Sequence, residues 1–273
     1  MGANTKQLRT RIKSVDSTLH LTRAMGLVAS SKIRRAMEAM RAGREYEHAV
    51  RGAIAPLISS SECRKSPYMR AATDAVPNER TALVVIAGDR GLAGGYNANI
   101  FRAMREYEGA TVYPIGKRAC DRYKHETVRA ESFDYAEARA LADRLCREFA
   151  EGCYDRVGIL CTHYVSMLSQ EAEVRWVLPL VAEEGEHRAG TIFEPDEMTI
   201  LNAAVPEYLA GILVAAARES FASEVAARRT AMDSASKNAQ EMIDELQLEY
   251  NRARQGAITQ EITEIVAGSN SGV

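Results

Sequence analysis

The sequence predicts a mixed α+β, α/β chain: a long antiparallel two-helix coiled coil built from both termini, with a small α/β domain inserted between its two helices. Three observations point there. From Pro206 to Val266 nothing firmly breaks a helix, and Gly211 and Gly256 are the only glycines. From Thr5 to about Leu57 a helical period recurs. Between these stretches the pattern changes to short β-branched runs alternating with helical ones.

The C-terminal stretch is the clearest element. A helix of about 60 residues is roughly 90 Å long, well beyond an ordinary surface helix. Such a rod needs a partner along its length. Pro206 suits the first helical position, where its missing N–H would be unpaired anyway. Met232, Ala235, Ala239, Met242, Leu246, Tyr250, Ala253 and Ala257 recur at spacings of 3 and 4, the mark of a coiled-coil seam. The alanines in that seam allow a partner helix close. Arg228, Arg229, Lys237, Glu241, Asp244, Glu245 and Arg252 charge the other faces. A solvated surface helix would explain such charges equally well, but not the length.

The N-terminal stretch mirrors it. Leu8, Ile12, Val15, Leu19, Thr22, Gly26, Ala29, Ile33, Ala36 and Met40 form a second seam, again rich in small residues at its middle. Two such helices at opposite ends of one chain can pair antiparallel, which makes the intervening segment an insertion. This helix is strongly basic, with Arg9, Arg11, Lys13, Arg23, Lys32, Arg34, Arg35, Arg41 and Arg44. Such a face fits an acidic protein partner or nucleic acid; each charge alone is equally explained by solvation.

Residues 58–80 read as a linker, from their serines, Pro67 and Pro77. Thr81–Ala87 is a buried strand, followed by a glycine-rich turn and a helix to about Glu108. Thr111–Ile115 is a second strand, Lys117–His125 helical, and Tyr135–Glu151 an amphipathic helix with Leu141, Leu145 and Phe149 on one face. Arg156–Tyr164 and Val174–Leu178 are further strands. The alternation predicts a small, Rossmann-like layer with a mostly parallel sheet over 81–181. Residues 182–205 form a polar connection. The expected division is therefore 1–57, 58–80, 81–181, 182–205 and 206–273.

Composition excludes several classes. The formal net charge is −2, so bulk charge gives no case for a nucleic-acid partner. No run approaches the roughly 18 apolar residues of a membrane span. Lys6, Arg9, Arg11 and Lys13 interrupt the start, so no signal peptide is expected. Cys63, Cys120, Cys146, Cys153 and Cys161 are odd in number and form no Cys-x-x-Cys or Cys/His cluster, so neither a disulfide framework nor a metal site is expected.

Residues 88–97 follow a strand and precede a helix, as a phosphate cradle would. The loop lacks Gly-Lys-Ser/Thr and the GxGxxG spacing, so a structural turn is the competing reading. His20, His48, His125, His163 and His187 are scattered, and Cys161 with His163 lacks the third group of a nucleophilic triad. No catalytic residue and no cofactor is expected.

Several stretches carry a resemblance. Ile12–Val15, Leu21–Arg35 (LTRAMGLVASSKIRR), Gly88–Ile100 (GDRGLAGGYNANI) and above all Glu245–Gly268 (ELQLEYNRARQGAITQEITEIVAG) closely resemble the γ subunit of rotary ATP synthase. Ser223–Arg228 and Phe193–Asp196 also fit, and Ala172–Leu180 fits more loosely. The likeness runs in order over essentially the whole chain. It implies a central rotor shaft of a proton-translocating synthase, without an active site of its own. It implies the α and β subunits of the catalytic head, the ε subunit and the c-subunit ring as partners, with membrane association only through them and no nucleic acid. Met25, Arg228, Arg254, Gln255, Thr259, Glu261 and Glu264 match family positions where rotor meets stator or where coupling is affected, and Glu194 lies in the stretch resembling the contact with the c ring. The small residues Ala267–Gly272 fit a slender tip.

Two departures matter. Gly26 stands where the family usually carries a larger or charged residue, and is expected to soften or narrow the shaft. The cysteine insertion of chloroplast members is absent, so no thiol switch is expected. With no transit peptide before Thr5, the resemblance implies a bacterial protein on the cytoplasmic face of the inner membrane. The alternative that the residues leave open is a nucleotide- or nucleic-acid-binding α/β module with helical arms.

Overall fold

A computed structural model describes residues 2–69, 80–181 and 193–270. The elements run α1 (Gly2–Ile58), β1 (Thr81–Ile86), α2 (Tyr96–Ala103), β2 (Thr111–Ile115), α3 (Lys117–Tyr123), α4 (Tyr135–Ala150), β3 (Arg156–Tyr164), β4 (Gln170–Leu178) and α5 (Glu197–Asn270). Two compact units form: Met1–Ala29 with Arg229–Val273, and Ser30–Arg228.

The first unit is a helix pair. Leu19, Ala239 and Ile243 are buried together, with Ile12 and Val15 against them. Every predicted seam residue of α1 that falls here, from Leu8 to Ala29, is at least half-buried. On α5 the stripe differs from expectation. Met242 is 41 % exposed, and Ile243 is buried in its place. The observed stripe is Met232, Ser236, Ala239, Ile243, Leu246, Tyr250, Ala253 and Ala257, a strict alternation of 4 and 3. Ser236 belongs to it because its hydroxyl donates to Thr22 Oγ1 at 2.8 Å, and Thr22 donates in turn to the Leu19 carbonyl. A polar residue thus sits in the seam with its hydrogen bond satisfied.

The second unit is layered. Its sheet has the order β2-β1-β3-β4. β1 pairs parallel with β2 and with β3, while β4 runs antiparallel to β3. Because strand side chains alternate, Leu83, Val85 and Leu160 face Ile100, Met104 and Ala119 of the α2–α3 layer. Ala82, Val84, Ile86 and Ile159 face the opposite way, towards α4 and α5. α4 opens on a capping box: the Asp134 carboxylate accepts from Glu137 N–H, and Glu137 reaches back to Asp134 N–H.

α5 runs through this core. Every residue from Tyr208 to Ala217 is buried, as a helix apolar all round must be. This part of α5 lies in the helix with a stretch apolar and long enough to pass for a membrane span, contrary to the sequence expectation; the stretch is mostly buried inside the protein. α1 crosses it closely. A Cβ on Gly43 would lie 3.3 Å from Ala215 Cα, and one on Gly211 would strike the Tyr46 ring at 2.4 Å.

Other boundaries moved. α5 begins at Glu197, and Pro206 lies inside it rather than at its start. The Asp196 carboxylate caps the helix by accepting from Thr199 N–H at 2.8 Å. Buried Leu201, Val205 and Leu209 flank the proline, and their packing offsets the hydrogen bond it omits. Of the expected linker 58–80, residues 63–65 and 67–69 form 3-10 turns whose Cys63 and Tyr68 enter the core. Residues 70–79 of that linker, residues 182–192 of the expected connection, and the tip beyond Asn270 lie outside the described residues.

Candidate functional site

The loop after β1 holds an anion, and the anion belongs to the chain. Glu224 of α5 is 1 % exposed. Its carboxylate accepts from Asp89 N–H at 3.3 Å and Arg90 N–H at 3.4 Å, and from the guanidinium of Arg228. Arg228 also donates to the Gly91 carbonyl at 3.4 Å. Gly88 has no room for a side chain here, since a Cβ would lie 2.8 Å from Glu224 Cδ. Asn97 ties the turn by accepting from Gly88 N–H at 2.8 Å. Asp89 organises the next loops, accepting from the N–H groups of Lys117, Ala130 and Glu131 at 2.9–3.0 Å. Amides that could have cradled a phosphate therefore receive a carboxylate from the long helix, and this removes the nucleotide reading of loop 88–97.

One and a half turns earlier, Glu219 does the same for β3. It is 2 % exposed. Arg44 donates to it at 2.6 Å, Arg175 at 2.8 Å and Tyr164 N–H at 3.0 Å, and His163 Nδ1 lies 2.8 Å away. Burial alone would raise the pKa of this carboxyl, but Arg44, Arg175 and the amide outweigh it and hold the pKa below the ordinary 4.5. Between the two acids, Ser220 accepts from Thr162 N–H at 3.2 Å through its hydroxyl and from Tyr96 O–H at 2.9 Å through its carbonyl. α5 is thus keyed to the ends of β1 and β3 by polar contacts buried in an otherwise apolar interface. Cys161 is no nucleophile: burial pushes its thiol up to about 12, and His163 is engaged by Glu219.

Neither acid was singled out from the sequence. The signal was present: Glu219 and Glu224 interrupt the apolar run of α5, and a charge inside a fully buried helix must have a partner. Of the residues singled out, Arg228 falls in this cluster and turns inward. Glu194 is exposed, two residues ahead of the α5 cap. Met25 is half-buried on α1, next to Gly26. Arg254, Gln255, Thr259, Glu261 and Glu264 are all exposed near the end of α5. Thr259 donates to the Gln255 carbonyl at 3.0 Å, and Glu264 accepts from Gln260 at 2.8 Å.

The register of the helix pair places those last residues. Ser236 meets Thr22, and Gly26 faces Met232. On that register Gly2, the first residue of α1, is level with about Gly256, and among the described residues α5 continues without a partner helix for roughly 20 Å. Ile258, Ile262, Ile265 and Val266 are exposed there, at 45–66 %. Among the described residues no cluster of His, Cys, Asp or Glu could hold a metal ion.

One unit is thus a helix pair and the other a small α/β layer. Comparison with known proteins supplies the family. The family model described as ATP synthase matches residues 4–271. The ATP synthase gamma chain of Ruminococcus albus is 39 % identical, covering 98 % of each chain. That of Acetobacterium woodii, described as sodium ion specific, is 35 % identical over 99 % of each. A chain of the Euglena gracilis mitochondrial ATP synthase (OSCP/F1/c-ring) shares the fold, with a TM-score of 0.67 at 18 % identity and coverage of 99 % of this chain and 95 % of that one. The chain belongs to the ATP synthase gamma-chain family.

Proposed function

We propose that this chain is the central rotor shaft of a bacterial, proton-translocating ATP synthase. Ion flow through a c-subunit ring turns the α/β unit, and the helix pair carries the rotation into a head of α and β subunits where ATP is made or hydrolysed. The chain has no active site of its own. It attaches peripherally, at the cytoplasmic face of the inner membrane, through the ε subunit and the c ring, with Glu194 at the latter contact.

The observation that carries this reading is the far end of α5. Isolated apolar residues on a surface are unremarkable, but four on a lone helix call for a surrounding surface. Their neighbours Arg254, Gln255, Thr259, Glu261 and Glu264 are polar and exposed, suited to contacts that form at one shaft angle and break at the next. A charge-assisted hydrogen bond contributes roughly 1.5–3 kcal/mol. That is enough to favour one state of a catalytic subunit over another by about one to two orders of magnitude. Met25 and Arg228 act differently. Met25 faces the head from the flank of the pair, and Arg228 steadies the loop at Gly91 and Glu224 from which force reaches α5.

The test is a reconstituted complex carrying Arg254→Ala with Gln255→Ala. Assembly with α and β subunits should be normal and steady-state hydrolysis slower. Unchanged turnover with normal assembly removes both residues from the mechanism.

A further inference from the structure

A cavity of about 600 Å³ lies beside the outer edge of β2, and neither Glu219, Glu224 nor their partners line it. This is within the range of small-molecule sites. Aromatic rings of Phe101, Tyr107 and Tyr123, the cations Arg105 and Arg122, and His125 line it, with Glu108 the only acid among its lining residues. Arg122 lies over the Phe101 ring at 4.7 Å. Among the described residues neither Arg105 nor Arg122 has an ion-pair partner. Arg144, on the rim, is already engaged by Glu148 at 2.8 Å and by the Tyr113 ring.

The edge itself does not suit an added strand. Ile115 C=O accepts from Ala87 N–H, so Thr111, Tyr113 and Ile115 face β1 while Val112 and Pro114 face outward. Pro114 has no N–H, and its carbonyl accepts from the Cys120 thiol at 3.6 Å. Gly116 N–H is bonded to Val128 at 2.8 Å. Only Val112 offers a full outward pair. A compact ligand fits the site better than an extended peptide.

We propose that this cavity binds a compact anion bearing a flat ring, of the chemical class of a nucleotide. The ring stacks on Tyr107, and Arg105 and Arg122 take the anionic group through forked hydrogen bonds. The site is independent of loop 88–97, whose amides are taken by Glu224.

Trp176, the only tryptophan in the chain, stands edge-on to Tyr107 with ring centroids 5.8 Å apart, and so reports on the cavity. The isolated full chain is titrated with ADP, ATP, adenosine and inorganic phosphate, following Trp176 fluorescence and heat of binding. ADP should saturate with Kd below about 1 mM, and phosphate and adenosine should each bind at least about 10-fold more weakly. Arg105→Gln with Arg122→Gln should weaken ADP by at least about 10-fold, with an unchanged melting curve. Tyr107→Leu, followed by heat alone, should weaken ADP and leave phosphate unaffected. Absence of saturation, phosphate binding as tightly as ADP, or full ADP affinity in the double arginine variant would each overturn the proposal.

Discussion

Replacing Glu219 with glutamine should cost about 2–3 kcal/mol of unfolding free energy at neutral pH. Losing one partner of a buried ion pair typically costs about 3–5 kcal/mol, because the other charge is left uncompensated. Here two cations share the acid. The Arg44 side chain is 43 % exposed and can recover water, whereas the Arg175 side chain is 18 % exposed and keeps only Glu173, at 2.7 Å, as a close carboxylate. That exposure discounts the Arg44 share heavily, and glutamine still accepts from Tyr164 N–H, so the net falls to the lower figure. Urea unfolding of the isolated chain reads it directly. The pH dependence gives a second reading. The folded pKa of Glu219 lies below 4.5, so its stabilisation is fully present above the unfolded value and is lost as pH falls through the folded one. The gap between wild type and Glu219→Gln should therefore narrow on acidification below about 4.5. A gap under about 0.5 kcal/mol at neutral pH, or one that does not narrow in acid, would refute the reasoning.

Three further outcomes follow from the packing. Gly26→Ala should stabilise the helix pair by about 0.5–1 kcal/mol in thermal unfolding, because the added Cβ would meet Met232 Cβ at an ordinary 3.7 Å. Gly211→Val should destabilise by about 1–3 kcal/mol in the same assay, since even a Cβ there displaces the Tyr46 ring. Met25→Lys, in the assembled complex, should leave ATP hydrolysis largely intact while proton pumping falls, because a new cation on the face proposed to meet the head would favour one rotary state; equal loss of both would contradict the assignment.

Much of the fold was legible in the sequence, and the misses have physical causes. Strands β1 to β3 announced themselves by β-branched runs between glycines and charges. β4 was found short, because its first half, Gln170–Glu173, is polar and only partly buried. On apolarity alone the α5 seam passes through Ala235 and Met242. The true heptad runs through Ser236 and Ile243, since Thr22 meets the serine hydroxyl across the seam. Proline usually ends or opens a helix, so Pro206 reads as a start, yet Asp196 carries the capping signal ten residues earlier. Gly26 suggested a narrowed shaft, but the space beside it accepts a methyl group, so no close approach requires the glycine. The site was least legible. Glu224 meets loop 88–90 across about 135 residues of chain, a distance that no local pattern spans, and its charge occupies the amides that suggested a phosphate.

Rotation itself is the most direct test of the rotor assignment. Cys153 is exposed, whereas Cys63, Cys120, Cys146 and Cys161 are buried, so one thiol in the α/β unit can carry a visible probe without prior mutagenesis. With the α and β subunits of the head fixed to a surface and ATP supplied, a probe on Cys153 should turn continuously in one direction, and should stop when ATP is withdrawn. A probe that stays fixed, or moves only diffusively while ATP is hydrolysed, would contradict the account.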